Sequence, residues 1–323
     1  MKAAVIGANG VEIRDVPKPA PGPAQVLVRV RASGLNRADV IMASGHMHGS
    51  AGGQGAVLGL EFAGEVEAVG AEVKGIKAGD RVMCSGNAGY AEYAVTDWGR
   101  VAPIPANNMS FTQAATLPIA LQTMHDALVT NGRLKSGESV LIQGASSGVG
   151  IMGMQIAKFM GAKLVMGAST NAGRRAKLAE FGADLAIDTS ATGWADEVVK
   201  ATDGNGVNLI VDQVSAGVMD QNMKAASILG RIVNVGRLGG FKGTFDFDLH
   251  AMKRIDYIGV TFRTRSLDEV REINRRMRAD LWEAVEAGKL ALPIDRTFPL
   301  DDAAAALAHM KANAHFGKIV LTQ

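Results

Sequence analysis

The sequence predicts an α/β protein in which a β-rich domain is combined with a doubly wound parallel sheet. Three observations indicate this fold class. Short segments of alternating polar and apolar residues fill the chain up to about residue 118. Six apolar runs then recur at the spacing typical of strand–helix–strand units. A glycine-rich turn follows the first of these runs and opens a helical pattern.

The first 118 residues are expected to form short strands. The segment "QVLVRVRASGL" alternates apolar and polar residues, as does part of "AGEVEAVG", and further short strands are predicted in "KAGDRVMC" and "YAEYAV". Glycine and proline separate these segments closely. One separator, "HMHGSAGGQGAV", is a glycine-rich loop that carries two histidines, His46 and His48.

The six apolar runs predict the parallel sheet. They begin near Ser139, Lys163, Asp184, Asn208, Gly230 and Asp256. Helical patterns fill most of the gaps, so consecutive strands are expected to be parallel. The runs are apolar throughout because helices would cover both faces of such a sheet.

The rest of the chain is predicted to contain a long helix and a final strand. The helix "SLDEVREINRRMRADLWEAVEAG" opens with Ser266 and Glu269 in a capping-box pattern. Its apolar stripe consists of Val270, Ile273, Met277, Leu281 and Val285. The segment "FGKIVLTQ" predicts the strand, and the C-terminal part is expected to return to the first domain.

Composition and charge exclude several classes of protein. With 323 residues, 47% of them hydrophobic, the chain is long enough for two globular domains. The net charge of +2 is too small for a general attraction to nucleic acid or to an anionic membrane, so neither is expected as a partner. The first residues lack the apolar segment of a signal peptide, and no run is long enough to span a bilayer. We therefore expect a soluble cytoplasmic protein.

The turn in "SVLIQGASSGVG" is the first candidate site. Unpaired N–H groups at a helix N-terminus, with the positive end of the helix dipole, bind phosphate. The pattern departs from G-x-G-x-x-G, because Ala145 and Ser147 stand at the first two glycine positions and Gly150 at the third. We predict a dinucleotide pyrophosphate site here; a strand–helix turn without a ligand is the alternative.

The end of the second strand bears on the choice of dinucleotide. An acidic residue there would bind the ribose 2′-hydroxyl of NAD and repel a 2′-phosphate. This chain has Ser169 and Thr170 instead, and Arg174 and Arg175 follow at the start of a helix. A guanidinium pairs well with a phosphate. The pattern favours NADP(H) over NAD(H), unless both arginines are simply solvated helix residues.

Other catalytic constellations are not predicted. A catalytic zinc needs three protein ligands, and this chain has one cysteine and six scattered histidines. Cys84 is interpreted as a small hydrophobic residue at a strand end. None of the three tyrosines has a lysine four residues on, and neither a G-x-S-x-G elbow nor a Walker loop is present.

Eight segments, taken in order, resemble the medium-chain dehydrogenase/reductase superfamily over nearly the whole chain. They are "GLNRADVIMASG", "LGLEFAGEVEAVG", "KAGDRV", "YAEYAV", "AATLPIALQT", "QGASSGVG", "GRIVNVG" and "FGKIVL". The chain is most similar to the zinc-independent, zeta-crystallin-like quinone oxidoreductases. Zinc members carry Cys at Asn36 and His at Leu60, and the lobe of four cysteines that holds structural zinc is absent.

The resemblance implies the domain organisation. Residues 1–118 and 257–323 would form a GroES-like catalytic domain, and residues 119–256 a Rossmann NADP(H)-binding domain. The active site would be the cleft of such a protein. A homodimer is implied as well, in which the strand "DYIGVTF" pairs with its copy and so protects an exposed sheet edge.

The resemblance also implies site residues. Asn36 matches an asparagine that lies by the nicotinamide, and it is the candidate catalytic residue; capping of a turn is the alternative. The implied cofactor contacts are Asn36, Thr123, Ala145, Ser146, Ser147, Gly148, Val149, Gly150, Ser169, Arg174, Val235, Gly236, Phe262, Arg263 and Lys318. Met47 stands where several relatives carry a substrate-pocket tyrosine, so the pocket is expected to be more apolar.

The expected function is hydride transfer from NADPH to a quinone or an α,β-unsaturated carbonyl compound. A conjugated acceptor spreads its developing charge, so donors such as Asn36 could replace a metal. Protonation could come from water, or from His46. Three alternatives stay open: a non-catalytic NADPH-binding protein with a structural or RNA-binding role, a zinc-free alcohol dehydrogenase, and a specialised enoyl reductase.

Overall fold

The computed structural model describes all residues from 1 to 323, and the chain divides into two compact units. The first comprises residues 1–119 and 262–323, and the second comprises residues 120–261. The second boundary between the units follows residue 261, whereas the resemblance implied a boundary after residue 256. It lies later because the strand Asp256–Gly259 pairs within the sheet of the second unit. We describe each unit separately.

The first unit begins with seven strands and two short helices. The strands are β1 (Lys2–Gly7), β2 (Gly10–Asp15), β3 (Gln25–Gly34), β4 (Glu61–Val69), β5 (Arg81–Ser85), β6 (Tyr93–Asp97) and β7 (Val101–Pro103). The helices are α1 (Arg37–Ala43) and α2 (Phe111–Ala114). The alternating segments of the sequence therefore form strands, as predicted.

The second unit is built around a six-stranded sheet. Helix α3 (Pro118–His125) leads into it through a π-helical turn at Asp126–Asn131. The strands are β8 (Ser139–Ile142), β9 (Leu164–Ala168), β10 (Leu185–Ile187), β11 (Val207–Asp212), β12 (Ala226–Asn234) and β13 (Asp256–Gly259). The helices are α4 (Gly148–Phe159), α5 (Ala172–Arg175), α6 (Trp194–Ala201), α7 (Met219–Ala225) and α8 (Phe247–Lys253).

This sheet has the order β10-β9-β8-β11-β12-β13, and every neighbouring pair is parallel. That order is the doubly wound arrangement of dinucleotide-binding domains, which confirms the predicted fold class. The sheet buries an apolar layer against α6 and α7. Its inner strands are buried almost throughout, as the uninterrupted apolar runs indicated.

One strand differs from its prediction. β12 begins at Ala226 rather than near Gly230. Its pairing with β11 shifts register between Val207 and Leu209, and Ile228 and Leu229 at the corresponding place are exposed. Leu229 also has a φ of 60°, so the pleat is interrupted there and no continuous apolar run marks the strand.

The remaining elements complete the first unit. They are α9 (Leu267–Glu286), β14 (Ile294–Pro299), α10 (Ala303–Lys311) and β15 (Lys318–Thr322). Ser266 caps α9 in the predicted capping box, and all five residues of the predicted apolar stripe are buried. β15 pairs with β3 in a sheet of order β14-β15-β3-β4-β5-β7, with β6 also on β3. This sheet places the first residues of β4 and β15 beside the end of β3.

Candidate functional site

The glycine-rich turn of the second unit joins β8 to the N-terminus of α4. Ser147 caps the helix, and its hydroxyl oxygen accepts the N–H of Gly150 at 3.0 Å. The N–H groups of Gly148 and Val149, in the first turn, have no acceptor within the helix. No acidic residue lies in that turn. The turn therefore offers donors and a positive dipole end to an anion.

Gly150 is required by close packing. A Cβ atom at this position would lie 2.5 Å from the Gly144 carbonyl oxygen and 2.7 Å from the Ala145 Cα. Gly144 itself has a φ of 65°, which glycine adopts at low cost. The turn thus depends on two glycines, although its first two motif positions are Ala145 and Ser147.

Gln213 supports this turn from the end of β11. Its Nε2 donates to the Gln143 carbonyl at 3.0 Å, and its Oε1 lies 3.3 Å from the Ser147 hydroxyl. The neighbouring Asp212 carboxylate accepts the N–H groups of Val214 and Ser215. Burial raises the pKa of Asp212, although these hydrogen bonds act to lower it. Sequence reasoning missed Gln213, since no motif marks it.

The end of β9 presents hydroxyl groups rather than a carboxylate. Ser169 is buried, and its hydroxyl lies 3.3 Å from that of Ser146 in the glycine-rich turn. Asn171 caps α5 by accepting the N–H of Arg174 at 2.9 Å. The structure thus brings together two predicted cofactor residues, Ser146 and Ser169, from the ends of two adjacent strands.

The two arginines of α5 differ in their surroundings. The guanidinium of Arg175 donates to the Ser169 carbonyl at 2.8 Å and pairs with Asp188 at 2.9 Å. Hydrogen bonds from Ser190, and then the charge of Arg175, lower the pKa of Asp188. Arg175 therefore holds the β9 end in place. Arg174 is half-buried and remains the candidate for a phosphate contact.

Three further predicted residues lie in the second unit. The N–H groups of Val235 and Gly236, just after β12, both donate to the Asp212 carbonyl. A Cβ atom on Gly236 would lie 2.6 Å from the Gln213 carbonyl oxygen, so only glycine fits there. Thr123 is half-buried on α3.

In the first unit, Asn36 lies in a buried cluster with Glu61 and Lys318. The Asn36 Nδ2 donates to Glu61 Oε1 at 2.9 Å, and its Oδ1 accepts from Lys318 Nζ at 3.1 Å. Lys318 also donates to the Glu61 carboxylate and to the Leu35 carbonyl. The Lys318 and Glu61 side chains are 3% and 0% exposed. All three ammonium hydrogens thus have acceptors inside this unit, whereas the sequence predicted a cofactor contact for Lys318.

Asp39 holds the backbone of Asn36 from the first turn of α1. Its Oδ2 accepts the Asn36 N–H and the Tyr90 hydroxyl, both at 2.8 Å. Its Oδ1 is buried without a hydrogen-bond partner. Burial therefore raises the pKa of Asp39 to about 7. Asn36 stands at the N-cap position of α1, immediately before Arg37.

The histidine-containing loop lies against Arg263. Gly49 packs so closely that a Cβ atom would lie 2.8 Å from the Arg263 carbonyl oxygen. Burial, and then the charge of Arg263, lower the pKa of His48. Met47 is 56% exposed. Phe262 is half-buried, and Arg263 is exposed.

Metal chemistry and thiol chemistry have no built site in this chain. No group of three or more His, Cys, Asp or Glu side chains is arranged to hold a metal ion. Cys84 is fully buried on β5, and burial raises the pKa of its thiol, so it behaves as the predicted small hydrophobic residue. No helix is long and apolar enough to cross a membrane.

Two family models match the chain. Residues 22–106 match the alcohol dehydrogenase GroES-like domain, and residues 148–278 match the zinc-binding dehydrogenase model. A curated relative, a phenolphthiocerol/phthiocerol polyketide synthase of Mycobacterium tuberculosis, is 31% identical over 314 residues. The alignment covers 97% of this chain, which spans only 14% of that relative.

Solved structures match the whole chain. An alcohol dehydrogenase superfamily protein from Novosphingobium aromaticivorans is 31% identical with a TM-score of 0.89, over 100% of this chain and 99% of that one. A quinone oxidoreductase from Pseudomonas syringae pv. tomato DC3000 is 29% identical with a TM-score of 0.87, over the full length of both chains.

The fold and these matches define an oxidoreductase with a GroES-like domain and a dinucleotide-binding domain. The chain belongs to the medium-chain dehydrogenase/reductase superfamily, in its zinc-independent quinone oxidoreductase branch. The resemblance seen in the sequence is thereby confirmed. Members of this superfamily bind NAD(P). The match to the zinc-binding dehydrogenase model covers residues 148–278 and so includes neither Asn36 nor Leu60, the positions where the resemblance implies zinc ligands in other members.

Proposed function

We propose that the chain uses NADPH to reduce a quinone or an α,β-unsaturated carbonyl compound. The observation that carries the proposal is the N-terminus of α4, which presents free N–H groups beside Ser146 and Ser169. No carboxylate stands at the end of β9 to repel a 2′-phosphate. The residues present fit a phosphorylated dinucleotide.

Each part of the cofactor would have its own residues. The pyrophosphate would be held by the turn residues 145–150, and the 2′-phosphate by Ser169 and Arg174. Thr123, Val235, Gly236, Phe262 and Arg263 are proposed to contact the nicotinamide half. For Lys318 we propose an indirect role, since its ammonium is saturated within the first unit.

When bound, the reduced nicotinamide supplies a hydride, which would add to the carbon β to the carbonyl group. Asn36 would donate a hydrogen bond to the oxygen on which negative charge develops. Conjugation spreads that charge, so the demand on a single donor is modest. A proton from water would complete the reduction at the α carbon.

A second candidate is an enoyl reductase acting on acyl-chain thioesters. The observation that favours it is the 31% identity to a segment of a mycobacterial polyketide synthase. The chemistry is the same, because an enoyl thioester is also a conjugated carbonyl compound. The two candidates differ in the size of the acceptor.

The test is NADPH consumption at 340 nm with a panel of acceptors. It would include an ortho-quinone, a para-quinone, an alkyl enone, cinnamaldehyde, crotonyl-CoA and a saturated ketone, with EDTA present and NADH run in parallel. We expect turnover of a quinone or enone, a preference for NADPH, and no effect of EDTA. Turnover of crotonyl-CoA alone would select the enoyl reductase. Tight NADPH binding without turnover would support a non-catalytic role.

A further inference from the structure

The buried pair of Glu61 and Lys318 has no assigned role. Three strand ends of one sheet bring it to Asn36: β3 ends two residues before Asn36, and Glu61 and Lys318 are the first residues of β4 and β15. The register pairs Gly34 with both Glu61 and Val320, so Asn36, Glu61 and Lys318 lie close together. Nothing in this arrangement depends on a ligand.

Both charged groups are saturated by internal contacts. Lys318 uses its three donors on Leu35, Asn36 and Glu61. Glu61 Oε1 accepts from Asn36 and Lys318, and its Oε2 accepts the N–H of Ile119 at 2.9 Å. Neither group is therefore arranged to exchange a proton with a substrate, and both act on Asn36.

The signs of the two charges allow only one orientation of the Asn36 amide. The carboxylate can face only the NH₂ group, and the ammonium can face only the oxygen. A rotation of the amide by half a turn would place oxygen against carboxylate and NH₂ against ammonium. Because hydrogen bonds to charged groups are roughly twice as strong as neutral ones, this orientation is strongly preferred.

We propose that Glu61 and Lys318 are positioning residues that fix the Asn36 amide. The Nδ2 hydrogen not bonded to Glu61, which has only a long 3.5 Å contact with the Gly34 carbonyl oxygen, is then available to the acceptor oxygen. The inference rests on the proposed function, in which Asn36 is the donor. It also explains why two charges are kept together in the interior. A buried ion pair by itself contributes little net stability.

The test is a cycle of four proteins. Removing one charge would leave the other buried and unpaired, so the pair is replaced as a unit by Glu61→Gln/Lys318→Met, which keeps both shapes. The other two proteins are Asn36→Ala and the triple variant. We expect the double variant to lose on the order of 10–100-fold in kcat, the loss typical of a misplaced oxyanion donor. Its Kd for NADPH should change less than about threefold.

The diagnostic result is non-additivity. If the pair acts through Asn36, the double substitution lowers kcat by less than about twofold in the Asn36→Ala background. Losses that multiply would overturn the proposal, because they would show a structural role independent of Asn36. The matched control is Asp97→Asn/Arg271→Gln. It removes another ion pair of the same unit, between the buried Asp97 and the partly buried Arg271, and should leave kcat unchanged.

A readout independent of turnover separates this inference from the proposed function. In protein labelled with ¹⁵N-asparagine, the Asn36 side-chain signal is identified by its loss in Asn36→Ala. We expect one Nδ2 proton far downfield in the native protein, since it bonds a carboxylate, and a return toward ordinary amide shifts in the double variant. An ordinary, unchanged signal would overturn the inference. A native protein that shows the downfield signal but reduces no acceptor would refute only the proposed function.

Discussion

Asp39 has two carboxyl oxygens in very different surroundings. Oδ2 accepts two hydrogen bonds, whereas Oδ1 is buried without a partner. Burial outweighs the hydrogen bonds and the charge of Lys318, so the pKa is raised from 3.8 to about 7. Between those two values the folded state holds a proton that the unfolded state has released. Stability from Asp39 is therefore complete below pH 3.8 and is lost as the pH rises through about 7.

This dependence of stability on pH gives the first prediction. Asp39→Asn removes the titration while keeping one oxygen for the Asn36 N–H and the Tyr90 hydroxyl. From pH 5 to pH 8, the free energy of unfolding of the native protein should fall relative to that of Asp39→Asn by about 3 kcal/mol. Urea unfolding at the two pH values measures the difference. Equal differences at both pH values would show that Asp39 is ionised in the folded protein.

At the scale of residues, the sequence allowed candidate site residues to be selected but did not show which side chains they contact. Asn36 could be selected because it occupies the position of a zinc-ligating cysteine in relatives. Its partners could not, since Glu61 and Lys318 are distant in sequence and meet only through the register of β15, β3 and β4. The cofactor contact of Lys318 stays a prediction, and a sequence alone does not show that three internal acceptors surround its ammonium.

At the scale of elements, α4 depends on the close approach of its first turn to the end of β8. Gly150→Ala would place a methyl group 2.5 Å from the Gly144 carbonyl oxygen. Because this oxygen belongs to the backbone, relieving the clash requires the backbone of the turn to shift. We expect the turn to shift and the Kd for NADPH to rise at least tenfold, about the effect of losing one hydrogen bond to a charged group. Quenching of protein fluorescence by NADPH measures it.

Gly153→Ala is the matched control in the same helix. Its added Cβ would meet the Met124 thioether sulfur at 3.0 Å, and a flexible side chain can move. The Kd for NADPH should stay within about threefold of the native value. Equal effects of Gly150→Ala and Gly153→Ala would mean that helix packing, and not the geometry of the turn, limits binding.

Helix α5 gives a prediction about cofactor choice. Arg175 is engaged with Ser169 and Asp188, whereas Arg174 is the proposed 2′-phosphate contact. Arg174→Gln should therefore lower kcat/KM with NADPH by about 10–100-fold and leave the value with NADH nearly unchanged. Arg175→Gln should weaken both cofactors alike, because it loosens the β9 end. If Arg175→Gln alone changed the NADPH:NADH ratio, the two assignments would have to be exchanged.

The elements themselves were largely predictable. Five of the six strands of the parallel sheet start within one residue of the predicted positions, because strands covered on both faces are apolar throughout. β12 begins earlier than predicted because the strand is bulged at Ile228 and Leu229, whose side chains are exposed. The capping box and the apolar stripe located α9 by local chemistry alone.

At the scale of the whole molecule, the outer edge of β13 is unpaired within the chain, because β13 ends the six-stranded sheet. Several apolar side chains of the same unit are exposed: Ile228, Leu229, Phe241, Phe247 and Met252. An open edge and exposed apolar surface are features that proteins usually cover. We propose that a second copy of this chain covers them, with β13 paired to its copy.

Gly259→Pro tests this assembly without disturbing the sheet itself. The Val260 N–H donates inward to Asn234, so in an alternating strand the Gly259 N–H points to the open edge. Proline there removes a donor needed only by a partner strand. Light scattering at micromolar concentration should give twice 33.7 kDa for the native protein and 33.7 kDa for Gly259→Pro. Gly259→Ala should stay dimeric, because its Cβ meets no atom within 4 Å. A monomeric native protein would end the proposal, and a dimeric Gly259→Pro would move the interface away from β13.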